Sequence, residues 1–115
     1  MSVLLDEQEL FAKNIARLII YLYEMGYEVT FGEAQRTQEQ AEIYARKGKG
    51  SKFSNHIVRL AVDLMLFKND IYLKKSEDYE IAGNFWKSLH PLNRWGGDFK
   101  LKDGNHFSMM WQGRS

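Results

Sequence analysis

A chain of 115 residues is the length of one compact domain, and 44% hydrophobic with 14% aromatic residues is enough for a real core, which excludes a disordered chain. A net charge of +1 gives no electrostatic footprint for nucleic acid or an acidic membrane surface. Cysteine is absent, so disulfides and thiolate metal sites are excluded, and any bound metal must rest on histidine and carboxylate.

The opening MSVLLDEQELFAKNIARL has no basic lead before an apolar stretch, so no signal peptide is expected. The most apolar segment, ARLIIYLYEMGY, is too short and too mixed to span a bilayer, so a soluble protein made in the cytoplasm is expected. Residues about 6–25 repeat apolar side chains near a period of 3.6 (Leu10, Phe11, Ile15, Leu18, Ile19, Leu22, Met25) and predict an amphipathic helix stopped by Gly26. YEVTFGEAQR (27–36) reads as a strand that ends at Arg36. TQEQAEIYARKGKG (37–50) places Gln40 three residues after Thr37, the capping-box spacing of a short helix, which gives way after Ala45 to a basic, glycine-rich loop. LAVDLMLF (60–67) and IYL form a hairpin about KND. Residues about 76–90 predict a third helix, capped by Ser76 and ended before Pro91; RWGGDF (94–99) and HFSMMW (106–111) are short strands. No repeat, linker or low-complexity tract interrupts the order. The expected fold is a small α+β single domain over 1–115, with a mainly antiparallel sheet and about three helices.

Three places hold chemistry. In SNHIVRLAVDL (54–64), His56 and Asp63 are seven apart, which on one continuous strand would set them on opposite faces. A strand that starts near Leu60 leaves His56 in the preceding loop, free to fold back toward Asp63. Asp63 then shares a face with Ala61 and Met65, where a carboxylate is costly unless paired or bound to metal. In DGNHF (103–107), Gly104-Asn105 favours a tight turn that would bring Asp103 and His106 to one side. His56, Asp63 and His106 would then be three N/O ligands with a fourth position open, the donor set of a catalytic zinc, and Asp103 would stand beside it as a general base. Arg36, at the predicted strand end, could clamp a substrate carboxylate or stabilise an oxyanion. Singly, each residue has a plainer reading. Asp63 could pair with Arg59 or Lys68, Arg36 with Glu33 or Glu39; Gln40 could be only a helix cap, Asp103 only a turn residue. His90, at a helix end, reads as structural.

Together these stretches resemble the zinc peptidases of family M15, which cut D-amino-acid-containing bonds in bacterial cell walls. SNHIVRLAVDL resembles the S-x-H-x-x-x-x-A-x-D signature, EAQRTQEQA the Arg-Thr-x-x-Gln element, and RWGGDF with DGNHF the closing half of the site. An Asp, not a Glu, three residues before the last His is closer to the phage L-alanyl-D-glutamate endopeptidases than to the D-alanyl-D-alanine carboxypeptidases. The resemblance implies a hedgehog/D-Ala-D-Ala-peptidase-like fold. It implies a zinc ion on His56, Asp63 and His106, Asp103 as catalytic base, Arg36 as substrate-side cation, and supporting substrate contacts from Gln40 and Ser54. Asp98 is a nearby acid placed to support a ligand histidine. Arg59 stands where the family commonly has glycine. The implied activity is hydrolysis of the L-alanyl-D-glutamate bond of the peptidoglycan stem peptide by a monomeric phage or prophage endolysin, held in the host cytoplasm until release to the wall. The competing readings are a D-alanyl-D-alanine carboxypeptidase or dipeptidase, a zinc scaffold kept only for binding, and an HNH-like nuclease on Asn105-His106, which the near-neutral charge disfavours.

Overall fold

The structure, a computed structural model of the chain, describes residues 3–35, 37–47 and 55–115. Helix α1 (Val3–Glu24) buries Phe11, Ile15, Leu18 and Leu22, one stripe of its surface. It stops where Gly26 takes φ +91°, a conformation that costs an L side chain and not glycine. The chain then enters β1 (Glu28–Phe31). Helix α2 (Gln38–Arg46) is capped as its sequence predicts, with Thr37 Oγ1 accepting from the Gln40 backbone N–H at 3.0 Å. Strands β2 (Ala61–Lys68) and β3 (Ile71–Tyr72) make the expected hairpin, and Asn69 and Asp70 both adopt positive φ at its turn. A 3₁₀ turn (Ser76–Tyr79) leads into α3 (Glu80–Leu89); β4 (Asn93–Trp95), a second 3₁₀ turn (Gly96–Asp98) and β5 (His106–Met109) complete the fold.

The sheet runs in the order β1-β2-β5-β4, with β3 paired to β2, and every pairing is antiparallel. This is the expected α+β architecture of three helices on an antiparallel sheet. Along β2, Val62, Leu64 and Leu66 are buried in the core with Phe107 and Met109 of β5 and the apolar stripe of α1. Trp86 of α3 stands edge-on to Phe11 and Phe107 and donates from Nε1 to the Arg94 and Ser108 carbonyls. Asp63 and Met65 alternate to the opposite face, half-buried.

Three expectations are corrected. The first strand ends at Phe31, well before Arg36, because after Gly32 and Glu33 bond to Asp63 the backbone leaves the ladder. Ser76 does not cap α3: a 3₁₀ turn intervenes, and the Ser76 hydroxyl accepts instead from the Gly104 N–H at 2.9 Å. The strand expected over 94–99 ends at Trp95, since Gly96–Asp98 coil into the second 3₁₀ turn against that tryptophan.

Tyr79 locks the hairpin to the helical layer. Its hydroxyl accepts from the buried Leu66 N–H at 3.1 Å and donates to the Leu73 carbonyl at 2.9 Å. Burial raises its pKa to about 12, above the ordinary value of 10. A raised pKa favours the neutral form, so this stability is complete below pH 10 and is lost as pH rises toward 12. Tyr79→Phe should therefore destabilise the protein by about 1–3 kcal/mol, having left Leu66 N–H unsatisfied. Thermal melts between pH 7 and 12 should show the difference between wild type and variant shrinking above pH 10.

Candidate metal centre

Strand register sets the first pair of candidate ligands. Asp63 and His106 are direct cross-strand partners. The Leu64 N–H bonds to the Asn105 carbonyl just outside them, at 2.9 Å, so theirs is a non-hydrogen-bonded pair, the position at which facing side chains come closest. His56 arrives from the turn before β2. Its neighbour Asn55 is fully buried and donates through Nδ2 to the Met109 and Arg114 carbonyls, while Leu60 N–H closes the turn on the Asn55 carbonyl. Arg59 completes that turn at φ +58°, in the left-handed region. A glycine would sit there freely; an arginine costs about 1–2 kcal/mol. The exposed side chain accepts this and the ligand position is kept.

The three side chains converge. His56 Nε2 lies 3.4 Å and His106 Nδ1 3.6 Å from Asp63 Oδ1, and one ligand atom from each residue falls within 4.8 Å of the other two. The rings stand edge to face with centroids 5.2 Å apart. Asp63 Oδ1 is buried and has no hydrogen-bond partner among the described residues. Those separations are close to the edge of a coordination tetrahedron, roughly 3.3–3.4 Å for metal–ligand bonds of about 2.0–2.1 Å. Two imidazoles and a carboxylate around a gap of this size fit a divalent ion that accepts N/O donors. Burial pushes the Asp63 carboxyl up, but the facing His106 and His56 outweigh it and hold the group at about 2. The carboxylate is thus ionised at neutral pH. Its contribution to stability is present above the unfolded value near 4 and is lost only as pH falls toward 2.

The remaining candidates are placed as follows. Asp103 is exposed and opens the predicted tight turn, in which the His106 N–H donates to the Asp103 carbonyl at 3.0 Å. Asp98 accepts from Lys87 Nζ at 2.7 Å, so its carboxylate pairs with a lysine and does not support His56 or His106. Gln40 sits in the first turn of α2. Arg36 and Ser54 lie outside the described residues. His90 accepts from the Leu92 N–H through Nδ1, a local structural role. Lys68 lies over the Tyr27 ring at 4.9 Å, and Asp63 faces the histidines.

Two contributors were not legible in the sequence. Glu33 Oε1 lies 3.7 Å from His56 Nδ1, placing a carboxylate behind that imidazole. It is held there because the Asp63 N–H bonds to its carbonyl at 2.7 Å, a pairing that no local pattern announces. Gly96 is the other. Its carbonyl accepts from the Asp103 N–H, and a Cβ added to it would fall on the Asp103 carbonyl oxygen and come within 2.9 Å of His106 Cβ. Only glycine lets the second 3₁₀ turn support the Asp103–His106 turn so closely.

Residues 47–109, more than half of the chain, match the peptidase M15 family described as D-alanyl-D-alanine carboxypeptidase. The chain belongs to this family of metallopeptidases, and the matched span contains His56, Asp63, Asp103 and His106. Among solved structures, the fold is similar to that of the Serratia marcescens L-Ala D-Glu endopeptidase ChiX, with a TM-score of 0.74 at 21% identity over 87% of this chain and 77% of that one. No curated protein matches the chain in sequence. No helix among the described residues is long and apolar enough to cross a membrane.

The geometry predicts a graded loss of metal. Alanine at His56, Asp63 or His106 should abolish stoichiometric binding, whereas Glu33→Gln should retain it with affinity weakened about 10–100-fold. Gly96→Ala should cost about 1–3 kcal/mol of stability through overpacking and weaken binding by displacing His106. Elemental analysis and metal titration of folded variants, with circular dichroism as the fold control, check each outcome.

Proposed function

We propose that this chain is a zinc-dependent peptidase of the peptidoglycan stem peptide, cutting between L-alanine and D-glutamate. The observation that carries the reading is the convergence of His56, Asp63 and His106 within the span matched to the peptidase family. Zinc suits two imidazoles and one carboxylate with a position left open, and bound there it supplies Lewis acidity that makes water nucleophilic at neutral pH. The chain's own residues do the rest. The Asp103 carboxylate, exposed and three residues before His106, takes the proton of the attacking water and returns it to the leaving amine. Arg36 grips a substrate carboxylate in two-point fashion and offsets developing negative charge. Gln40 and Ser54 assist in seating the peptide. Glu33 orients His56 from behind.

The choice of bond is supported by the Asp-x-x-His ending and by the likeness in fold to an L-Ala D-Glu endopeptidase. D-Glutamate is linked through its side-chain carboxyl, so its α-carboxyl stays free beside the scissile amide, where a guanidinium can hold it. The role we infer is that of a monomeric phage or prophage endolysin with one catalytic domain, which reaches the wall once the host membrane is breached. The family description favours a second reading, removal of terminal D-alanine. Retention of Asp103 as a base argues against a scaffold kept only for binding.

Mass spectrometry of muropeptides after digestion tests the reading. A new N-terminal D-glutamate, with L-alanine left on the lactyl glycan, is the expected product; free D-alanine would select the carboxypeptidase, and cut glycan strands with intact peptides would refute both.

Removing the base and removing the metal should be separable. Asp103→Ala should keep zinc and lose activity by roughly 10²–10⁴-fold. Arg36→Lys keeps the charge but not the planar fork, and its kcat/KM should fall well beyond the effect of a surface charge change. If Asp103→Ala emptied the site, Asp103 would be a ligand; if Arg36→Lys were fully active, Arg36 would be only a surface cation.

A further inference from the structure

We propose that Lys74 and Lys102 form a carboxylate-binding subsite beside the metal centre, selecting peptides that carry a free carboxylate close to the scissile bond. This rests on the peptidase reading above and deepens it. A cavity of about 190 Å³ opens beside the Asp103–His106 turn, lined by Lys74, Ser76, Lys102 and Asp103 together with Tyr72 and Asn105. Asn105 immediately precedes His106, and its Nδ2 lies 3.4 Å from Met65 Sδ. Met65 is two residues beyond Asp63 on β2 and so projects from the same sheet face. The cavity therefore continues the face of the metal centre toward the β2–β3 hairpin. An extended peptide advances about 3.3 Å per residue, so a substrate with its scissile amide at the centre brings its next residue or two to this cavity.

The charge of the cavity defines what it accepts. Lys74 and Lys102 are both exposed, and neither has an ion-pair partner among the described residues. Their neighbours differ: Lys75 faces Glu77 at 4.0 Å and Lys87 holds Asp98 at 2.7 Å. The wall between the two lysines is fixed before any ligand arrives, since Ser76 Oγ accepts from the Gly104 N–H at 2.9 Å and the Gly104 carbonyl accepts from Trp95 Nε1 at 2.6 Å. Against the single carboxylate of Asp103, the two ammonium groups leave the cavity net positive, and with the Ser76 and Tyr72 hydroxyls they suit a carboxylate. With the D-glutamate α-carboxylate assigned to Arg36, one group of a stem peptide offers that chemistry: the second carboxylate of a diamino acid at the third position. A lysine at that third position lacks it.

Steady-state kinetics with the zinc-loaded protein and three synthetic stem peptides tests the subsite. One peptide carries diaminopimelate at the third position, one has the third-position carboxylate amidated, and one has the D-glutamate α-carboxyl amidated. Amidating the third-position carboxylate should lower kcat/KM roughly five- to tenfold, through KM, as two exposed ion pairs allow, and that preference should shrink with added salt. Amidating the D-glutamate α-carboxyl reports on Arg36 instead, and its effect should persist in the lysine variants. Lys74→Ala with Lys102→Ala should bring the ratio toward one, while Lys74→Arg with Lys102→Arg should keep it. If the double alanine variant retains the full ratio, or if third-position amidation leaves KM unchanged, the subsite is overturned while cleavage itself upholds the peptidase reading. If no peptide is cut, that reading fails and the subsite falls with it.

Discussion

The pairing of β2 with β5 in one register is the constraint on which the rest of the structure depends. It places Asp63 opposite His106 at a non-hydrogen-bonded position, where facing side chains come closest. A slip of one residue would turn Asp63 into the core and Val62 into the metal centre. The register is held on the other side of the sheet by burial: Val62, Leu64 and Leu66 of β2 and Phe107 and Met109 of β5 share one apolar cluster with α1 and α3. The core and the candidate centre are thus two faces of the same strands. The hydrophobic effect that buries one face orients the polar groups of the other.

Local devices then refine what the register makes possible. The buried amide of Asn55 ties the His56 turn to the end of β5 and to the C-terminal bridge, so His56 is anchored to the strand that carries His106. Gly96 allows the second 3₁₀ turn to press against the Asp103–His106 turn, and Ser76 and Trp95 bond to Gly104 from two further elements. Two separate segments, Ser76 and Trp95–Gly96, therefore brace the Asp103–His106 turn. Such bracing restricts the freedom of the side chains that the turn carries.

Electrostatics fits this reading. A carboxylate placed half-buried between two imidazoles would be costly alone, yet its pKa is held at about 2 by the groups it faces. The carboxylate of such a site needs no deprotonation before it meets a cation. Arg59 indicates where geometry outranks local comfort: a residue with a Cβ is kept in the left-handed region so that the His56 turn can close.

The α+β class, the helices over α1, α2 and α3, the β2–β3 hairpin and the three side chains that converge, His56, Asp63 and His106, were legible in the sequence. These are carried by local signals: a 3.6-residue period, a Thr37 cap, an Asn69-Asp70 turn, and polar residues set where an apolar strand should not have them. The sequence did not reveal Glu33 behind His56, the tie from Asn55 to β5, the role of Ser76 as a partner of Gly104, or the contact that requires glycine at position 96. Nor did it foresee that Asp98 would pair with Lys87, or that β1 would end at Phe31 and β4 at Trp95. Apart from the end of β4, each of these rests on a contact between residues that are not neighbours in the chain. Only the tertiary structure decides them, because a hydrogen bond or a close approach across the sheet depends on register and packing, which no short stretch of sequence encodes.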